Sequence, residues 1–191
     1  MEHFYQQSFH KIVGAADSGI LKKGEYEDCD FTNCDLSQFN LTDYVFLNSR
    51  FRDCNLSLVK LNNTAFREVT FKDCKLLGAP FYHCNDFGLA IQFNNCWLEN
   101  ASFFKLKLKQ VRFESCKLHE VDFSDCDLSG NYFNHCDLLN AKFEHTLLEK
   151  TDFRTAFNYT LDPALNRVKK AKFSIAGAVG LLAKYDIIIE G

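Results

Sequence analysis

The chain is short of the residues that interrupt regular structure: its 191 residues include only two prolines and nine glycines. With so few breakers, uninterrupted backbone pairing is open to most of its length. It contains no apolar run of about 18 residues, so no segment reads as a membrane-spanning helix. Residues 1–24 mix His, Gln, Lys and Asp with apolar side chains and lack the continuous apolar stretch of a secretory leader. That composition places the expected mature start at or near Met1, in the cytoplasm. Strong charge of either sign is also missing. A formal net charge of −3 predicts no strong attraction to nucleic acid or to an anionic membrane. No glycine-rich phosphate loop is present. What these absences leave is a single domain, long enough to bury its own core.

What the chain does have is Phe and Cys, 20 and nine of them respectively. From Tyr26, Phe or Leu recurs every five residues at Phe31, Leu36, Leu41, Phe46, Phe51, Leu56, Leu61, Phe66, Phe71, Leu76 and Phe81. After a slip, the same step of five resumes at Phe93 and runs through Leu98, Phe103, Leu108 and Phe113 to Phe153. All nine cysteines lie two residues before a position of this grid. A period of five is neither the 3.6 of a helix nor the 2 of a strand, and such repetition marks a solenoid. A coarser period of twenty lies above it: Phe31, Phe51 and Phe71 form one series, and Cys34, Cys54 and Cys74 another. Four five-residue units with corners between them therefore make one coil. Residues of one series should stack at the roughly 4.8 Å spacing of paired strands, giving a rod about 30 Å long.

The segments Phe51-Arg52-Asp53-Cys54-Asn55-Leu56, Phe123-Ser124-Asp125-Cys126-Asp127-Leu128 and Phe133-Asn134-His135-Cys136-Asp137-Leu138 closely resemble the repeat of the pentapeptide-repeat family. The resemblance covers about two thirds of the chain. It implies an all-β fold, a right-handed quadrilateral β-helix in which the central Phe or Leu and the residue two before it point inward. The expected division is an N-terminal cap at 1–23, the β-helix at 24–155 with a bulge at 85–92, and a C-terminal helical and strand cap at 156–191. Both caps are expected to be short and helical. Phe9, Ile12, Val13 and Ile20 should face the first coil. Asp162 followed by Pro163 reads as an N-cap and first position of a helix. A second helix is expected over Phe173 to Lys184 and a strand over Tyr185 to Ile189.

The tail carries a finer resemblance. Asp162 to Arg167, Ala178 to Leu182 and Ile187 to Gly191 are similar to the C-terminal ends of the quinolone-resistance and microcin-immunity proteins of that family. This implies two rods joined end to end, with a rod that imitates duplex DNA for DNA gyrase or topoisomerase IV. Val179, Leu182, Ile187, Ile188 and Ile189 are the candidate dimer interface. The expected function is a non-enzymatic protein-binding rod engaging a type II topoisomerase. The alternative is a scaffold or regulatory β-helix with an unrelated protein partner.

The chemistry expected of the side chains is modest. The slot that holds Cys also accepts Ala79, Val59 and Thr64, so it wants a small packing group, and buried Cys serves as one. Parallel thiols in a column do not converge on a tetrahedral metal, nor do they present the torsion of a disulfide. All nine therefore read as reduced core thiols, with no metal site, no cofactor and no catalytic residues. Histidines such as His83, His135 and His145 fall in outward slots, away from those thiols. Asn85 to Gln92 breaks the register, with Asp86 where an apolar residue is due. It reads either as a plain two-residue bulge or as a disturbance that suits one face to a partner. Tyr82, Phe87, Trp97 and Phe104 are outward aromatics near it and form a candidate partner patch. Acidic and basic residues alternate on the faces, and none is a continuous acidic stripe.

The shared inward slot of the cysteines has a direct consequence for reactivity. Native protein should react slowly with a thiol reagent, and unfolded protein should titrate as nine free thiols. Fast labelling of several cysteines in the folded state would show that the register is misassigned.

Overall fold

In a parallel pair, each residue sits beside its counterpart one coil away, so identical side chains repeated every twenty residues stack on one another. The computed structural model, which describes residues 2–13 and 21–188, has this arrangement. Its strands are β1 (Glu2–Tyr5), β2 (Ser8–His10), β3 (Gly24–Glu27), β4 (Asp30–Thr32), β5 (Val45–Leu47), β6 (Arg50–Arg52), β7 (Ala65–Arg67), β8 (Val69–Lys72), β9 (Ile91–Asn94), β10 (Arg112–Glu114) and β11 (Phe133–Asn134). They pair in parallel as two sheets, ordered β1-β3-β5-β7 and β11-β10-β9-β8-β6-β4-β2. Single bridges carry the pairing along other columns, as in Lys75 to Trp97 to Lys117 to Asp137 to Phe157. The result is a parallel β-solenoid of about six turns with a single short helix at the C-terminus.

The interior is aromatic on aromatic. Phe9, Phe31, Phe51, Phe71, Phe93, Phe113, Phe133, Phe153 and Phe173 form one unbroken stack with centroids 4.5 to 5.4 Å apart. A second column stands edge-on to it. In the first half this is Tyr26, Phe46 and Phe66, with centroids 5.5 Å apart. In the second half it is Phe81, Phe103, Phe123 and Phe143, on the neighbouring face. From Phe93–Phe103 to Phe143–Phe153, the two columns meet at 69 to 88°. Burying each ring contributes about 1.5–3 kcal/mol, and such edge-to-face pairs about 0.5–1.5 kcal/mol more.

The small inward slot has a polar task as well as a packing one. Cys54, Cys74 and Cys116 donate their thiols to the carbonyls of Phe31, Phe51 and Phe93, each 23 residues back. Thr64, Thr151 and Ser49 do the same through hydroxyls, and Asn131 and Asn166 through amides. The slot takes a small buried side chain, and where that side chain can donate it bonds the carbonyl one coil back; Ala79 and Val59 occupy it by packing alone. Corners have their own rule. The residue two after most core positions has positive φ, as at Asn33 (54°), Asp53 (53°) and Asn63 (54°). Asn, Asp and Gly tolerate that region best, which explains their recurrence there. Leu58 is an outlier, an exposed branched side chain held at φ 56°.

At Asn85 to Gln92 the chain inserts two residues. Asn85 still pairs with Ala65, but Asp86, Phe87 and Gly88 swing outward, and Leu89 and Ala90 fill the interior instead. Gly88 takes φ 70°, and pairing resumes with Ile91 beside Val69. The insertion lies in the coil where the second aromatic column changes face, between Phe66 and Phe81.

Both ends depart from expectation. The N-terminal segment is not a helical cap in its described part: β1 and β2 add a further rung, with Phe4 stacked on Tyr26 at 4.6 Å and Phe9 on Phe31 at 4.7 Å. Phe4 and Phe9 are themselves five apart and so continue the grid. Ile12 packs against the core, whereas Val13 is exposed, and Ile20 lies outside the described residues. At the other end, Asp162–Pro163 opens a turn rather than a helix. Arg167 pairs with Leu147 and Lys172 with Asp152, so this stretch forms another rung, closed by Phe173 on Phe153 at 5.3 Å. Helix α1 spans only Ile175–Ala178, capped by Ser174 Oγ accepting from the Gly177 N–H, and two 3-10 turns follow. No strand forms over residues 185–188, and Ile189 lies outside the described residues.

These features make two stability predictions, both measurable by urea denaturation. Phe113→Ala, mid-stack, should cost about 3–5 kcal/mol, while Cys116→Ala should cost about 1 kcal/mol for its lost weak hydrogen bond. Leu58→Asn should instead raise stability by about 1 kcal/mol, by relieving a left-handed conformation that disfavours branched side chains.

Candidate functional site

The outward slots belong to a stiff lattice, so each surface side chain is fixed by its column and coil. Trp97 stands in the middle of its column between Lys75 and Lys117, whose ammonium groups lie 5.5 and 4.3 Å from its ring. Phe87, at the tip of the bulge, is 76 % exposed on its free face. Arg67 covers the other, 5.6 Å from the ring, and its Nε donates to the Phe87 carbonyl. Phe104 is half-buried under Lys105 at 4.7 Å. Tyr82, 44 % exposed, rests against the ring of His83. Tyr82 and Phe104 follow one another on one face, while Trp97 is on the next and Phe87 at the opposite corner. The structure thus brings Tyr82 and Phe104 onto one face, and no ring contact joins any two of the four. Cations at exposed sites contribute about 0.5–1 kcal/mol to such rings.

Several charges are paired between coils. Lys23 meets Asp43 at 2.7 Å, Lys109 meets Asp127 at 3.2 Å, and Arg50 meets Asp30 at 3.7 Å. Asp152 is held by Arg154 at 2.8 Å and Lys172 at 3.8 Å, which keeps its carboxyl below the usual range. Asp137 is held low despite partial burial, because His119 at 2.7 Å and the Asn158 amide both donate to it. His119 and Asp137 form a histidine–carboxylate pair. The nine cysteines that could supply a nucleophile are all buried inside the coil. Burial raises the Cys84 thiol well above its ordinary range and pushes Cys126 up to about 12. Both are inert protonated thiols at neutral pH.

The tail is where apolar surface is left uncovered. Ile175 and Ile188 are 96 % and 88 % exposed. Val179, Leu182, Tyr185 and Ile187 are also exposed, while Ile189 is outside the described residues. Leu181 and Phe173 turn the other way and pack on the core. The tail is pinned by Lys184, whose ammonium lies 2.7 Å from Asp162 and holds that carboxyl below its usual range, helped by the Ala164 N–H. It also folds tightly over Tyr159: a Cβ on Gly177 would lie 2.0 Å from the Tyr159 hydroxyl. Of the candidate interface residues, Val179, Leu182, Ile187 and Ile188 are thus exposed; Ile175 and Tyr185, which the sequence pattern places inside a helix and a strand, share that exposure.

Compared with known proteins, the family model described as pentapeptide repeat region matches residues 25–87 and 89–157. The residue skipped between the two matches is Gly88, the bulge glycine. Among solved structures, a trypsin-treated form of QnrB1, a plasmid-mediated fluoroquinolone resistance protein, is similar with a TM-score of 0.53 at 18 % identity, over 100 % of this chain and 92 % of that one. HetL, a pentapeptide repeat protein involved in heterocyst differentiation regulation from a Nostoc cyanobacterium, is similar over 88 % of both chains, at 14 % identity and a TM-score of 0.32. At 18 % identity the likeness to QnrB1 is one of fold. No curated protein matches the chain.

Proposed function

Since this chain belongs to the pentapeptide-repeat family, we propose that it is a non-enzymatic protein-binding rod that dimerises through its C-terminal segment. The observation that carries the reading is the tail: Ile175, Val179, Leu182, Tyr185, Ile187 and Ile188 gather exposed apolar surface at one end of the rod, whereas its other exposed apolar side chains, such as Leu58, Phe87 and Trp97, are spread along its length. Such a surface at the end of a rod suits a two-fold contact with a second copy, which would cover it symmetrically. The partner to test first is a type II topoisomerase, DNA gyrase or topoisomerase IV. What supports that choice is the tail sequence from Asp162 to Arg167 and Ala178 to Leu182, together with the fluoroquinolone resistance named for QnrB1. One observation favours a second reading, a scaffold with an unrelated protein partner. Imitation of duplex DNA calls for an uninterrupted acidic stripe, and here lysines and arginines alternate with the carboxylates from coil to coil.

Two measurements test the proposal. Light scattering should give about 44 kDa, twice the 22.0 kDa chain, and truncation after Ser174 should give a β-rich monomer. A full-length monomer at micromolar concentration would reduce the tail to a cap. Gyrase supercoiling, with and without a quinolone, should change as purified protein is added. No effect at micromolar protein would leave the scaffold reading standing.

A further inference from the structure

The first rung gathers three metal-ligating side chains. His3 on β1 is the direct cross-strand partner of Glu25 on β3, and Glu27 follows two residues later on the same face of β3. His3 Nε2 lies 3.1 Å from Glu27 Oε2 and 3.8 Å from Glu25 Oε1, and the three ligand atoms all lie within 4.8 Å of one another. A tetrahedral zinc ion with bonds near 2.0–2.2 Å would want its ligand atoms about 3.3–3.6 Å apart. The gathered atoms therefore need to close by about 1 Å at most, within reach of side-chain rotation at these exposed positions. Their charge is unbalanced as well. Among the described residues, no lysine or arginine reaches Glu25 or Glu27; the nearby Lys22 pairs with Glu2 at 3.4 Å. Two carboxylates on one side of a strand share a single histidine.

We propose that His3, Glu25 and Glu27 form a binding site for a divalent transition-metal ion of the Zn2+ class. Water would complete its coordination. The nitrogen donor and the count of three protein ligands suit such an ion. Ca2+ takes six to eight oxygens and Mg2+ an octahedron of them, which this site does not offer. The ligands come from the terminal strand and from the strand beneath it, so the ion would staple β1 onto the rod and steady a strand that pairs on one side only.

Calorimetric titration of the full chain, purified without a histidine tag, tests this. ZnCl2 should bind at one ion per chain, and MgCl2 and CaCl2 should give no signal. His3→Ala and Glu25→Gln should each weaken zinc binding by more than about tenfold, since even an outer-shell partner is worth that much. Both side chains are exposed, so the variants should fold, and circular dichroism checks that they do. Zinc should raise the thermal midpoint of the native chain and leave that of His3→Ala unchanged. Co2+ should give a ligand-field spectrum without a thiolate charge-transfer band. Absence of zinc binding, equal affinity in His3→Ala, or a thiolate band tracing the ion to cysteine would overturn the proposal.

Discussion

In-register stacking of side chains on successive coils is the constraint from which the other features of this rod follow. A parallel pair places each residue over its counterpart at strand spacing. A Phe column is therefore possible only if every coil offers a ring at that point. The stack from Phe9 to Phe173 meets this condition without a gap. A single large-to-small change in such a column leaves both neighbours without a partner face. The stack also dictates what else fits: a second aromatic column can only stand edge-on to it, and the small slot beside each ring must hold something of Cys or Thr size.

The bulge is best understood through that constraint. Each coil holds two aromatic columns and two aliphatic ones. Between Phe66 and Phe81 the second aromatic column moves from one face to the next, and ring volume and leucine volume exchange places. Leu89 and Ala90 fill the interior left by the exchange, and the two extra residues carry Asp86 and Phe87 outward. The insertion thus coincides with the exchange of the two columns. Phe87 and its cover, Arg67, are a by-product that a partner could use, and Trp97 between two lysines is steadied in the same way.

The two ends answer the same edge problem differently. At the N-terminus, a rung of β1 and β2 closes over the first coil, with Gly24 leaving room for the Glu2 carbonyl, which a Cβ would approach to 2.6 Å. At the C-terminus, the last rung is covered by Tyr159, Leu181 and the short helix, and apolar side chains are left facing outward. The flanks of the rod carry some charges paired from coil to coil, as Lys23 with Asp43 and Lys109 with Asp127.

The period of five and the period of twenty determined the solenoid, the inward columns, the buried reduced cysteines and the position of the break, because each is a statement about which residues share a column. The end rungs also follow the five-residue step, from Phe4 to Phe9 and from Val168 to Phe173, yet both ends read as helical caps, because the grid does not run unbroken from Phe9 to Tyr26 and Asp162–Pro163 carries a helix signal. Only tertiary structure decided the rest. A local N-cap pattern at Asp162 yields a turn because pairing Arg167 with Leu147 and stacking Phe173 on Phe153 satisfy more backbone and bury more surface than one helical turn could. The thiol-to-carbonyl bonds 23 residues apart, the cations over Phe87 and Trp97 and the meeting of His3 with Glu25 and Glu27 are contacts between coils. Their partners lie a full turn apart in the chain, and the register that joins them exists only once the coil has closed.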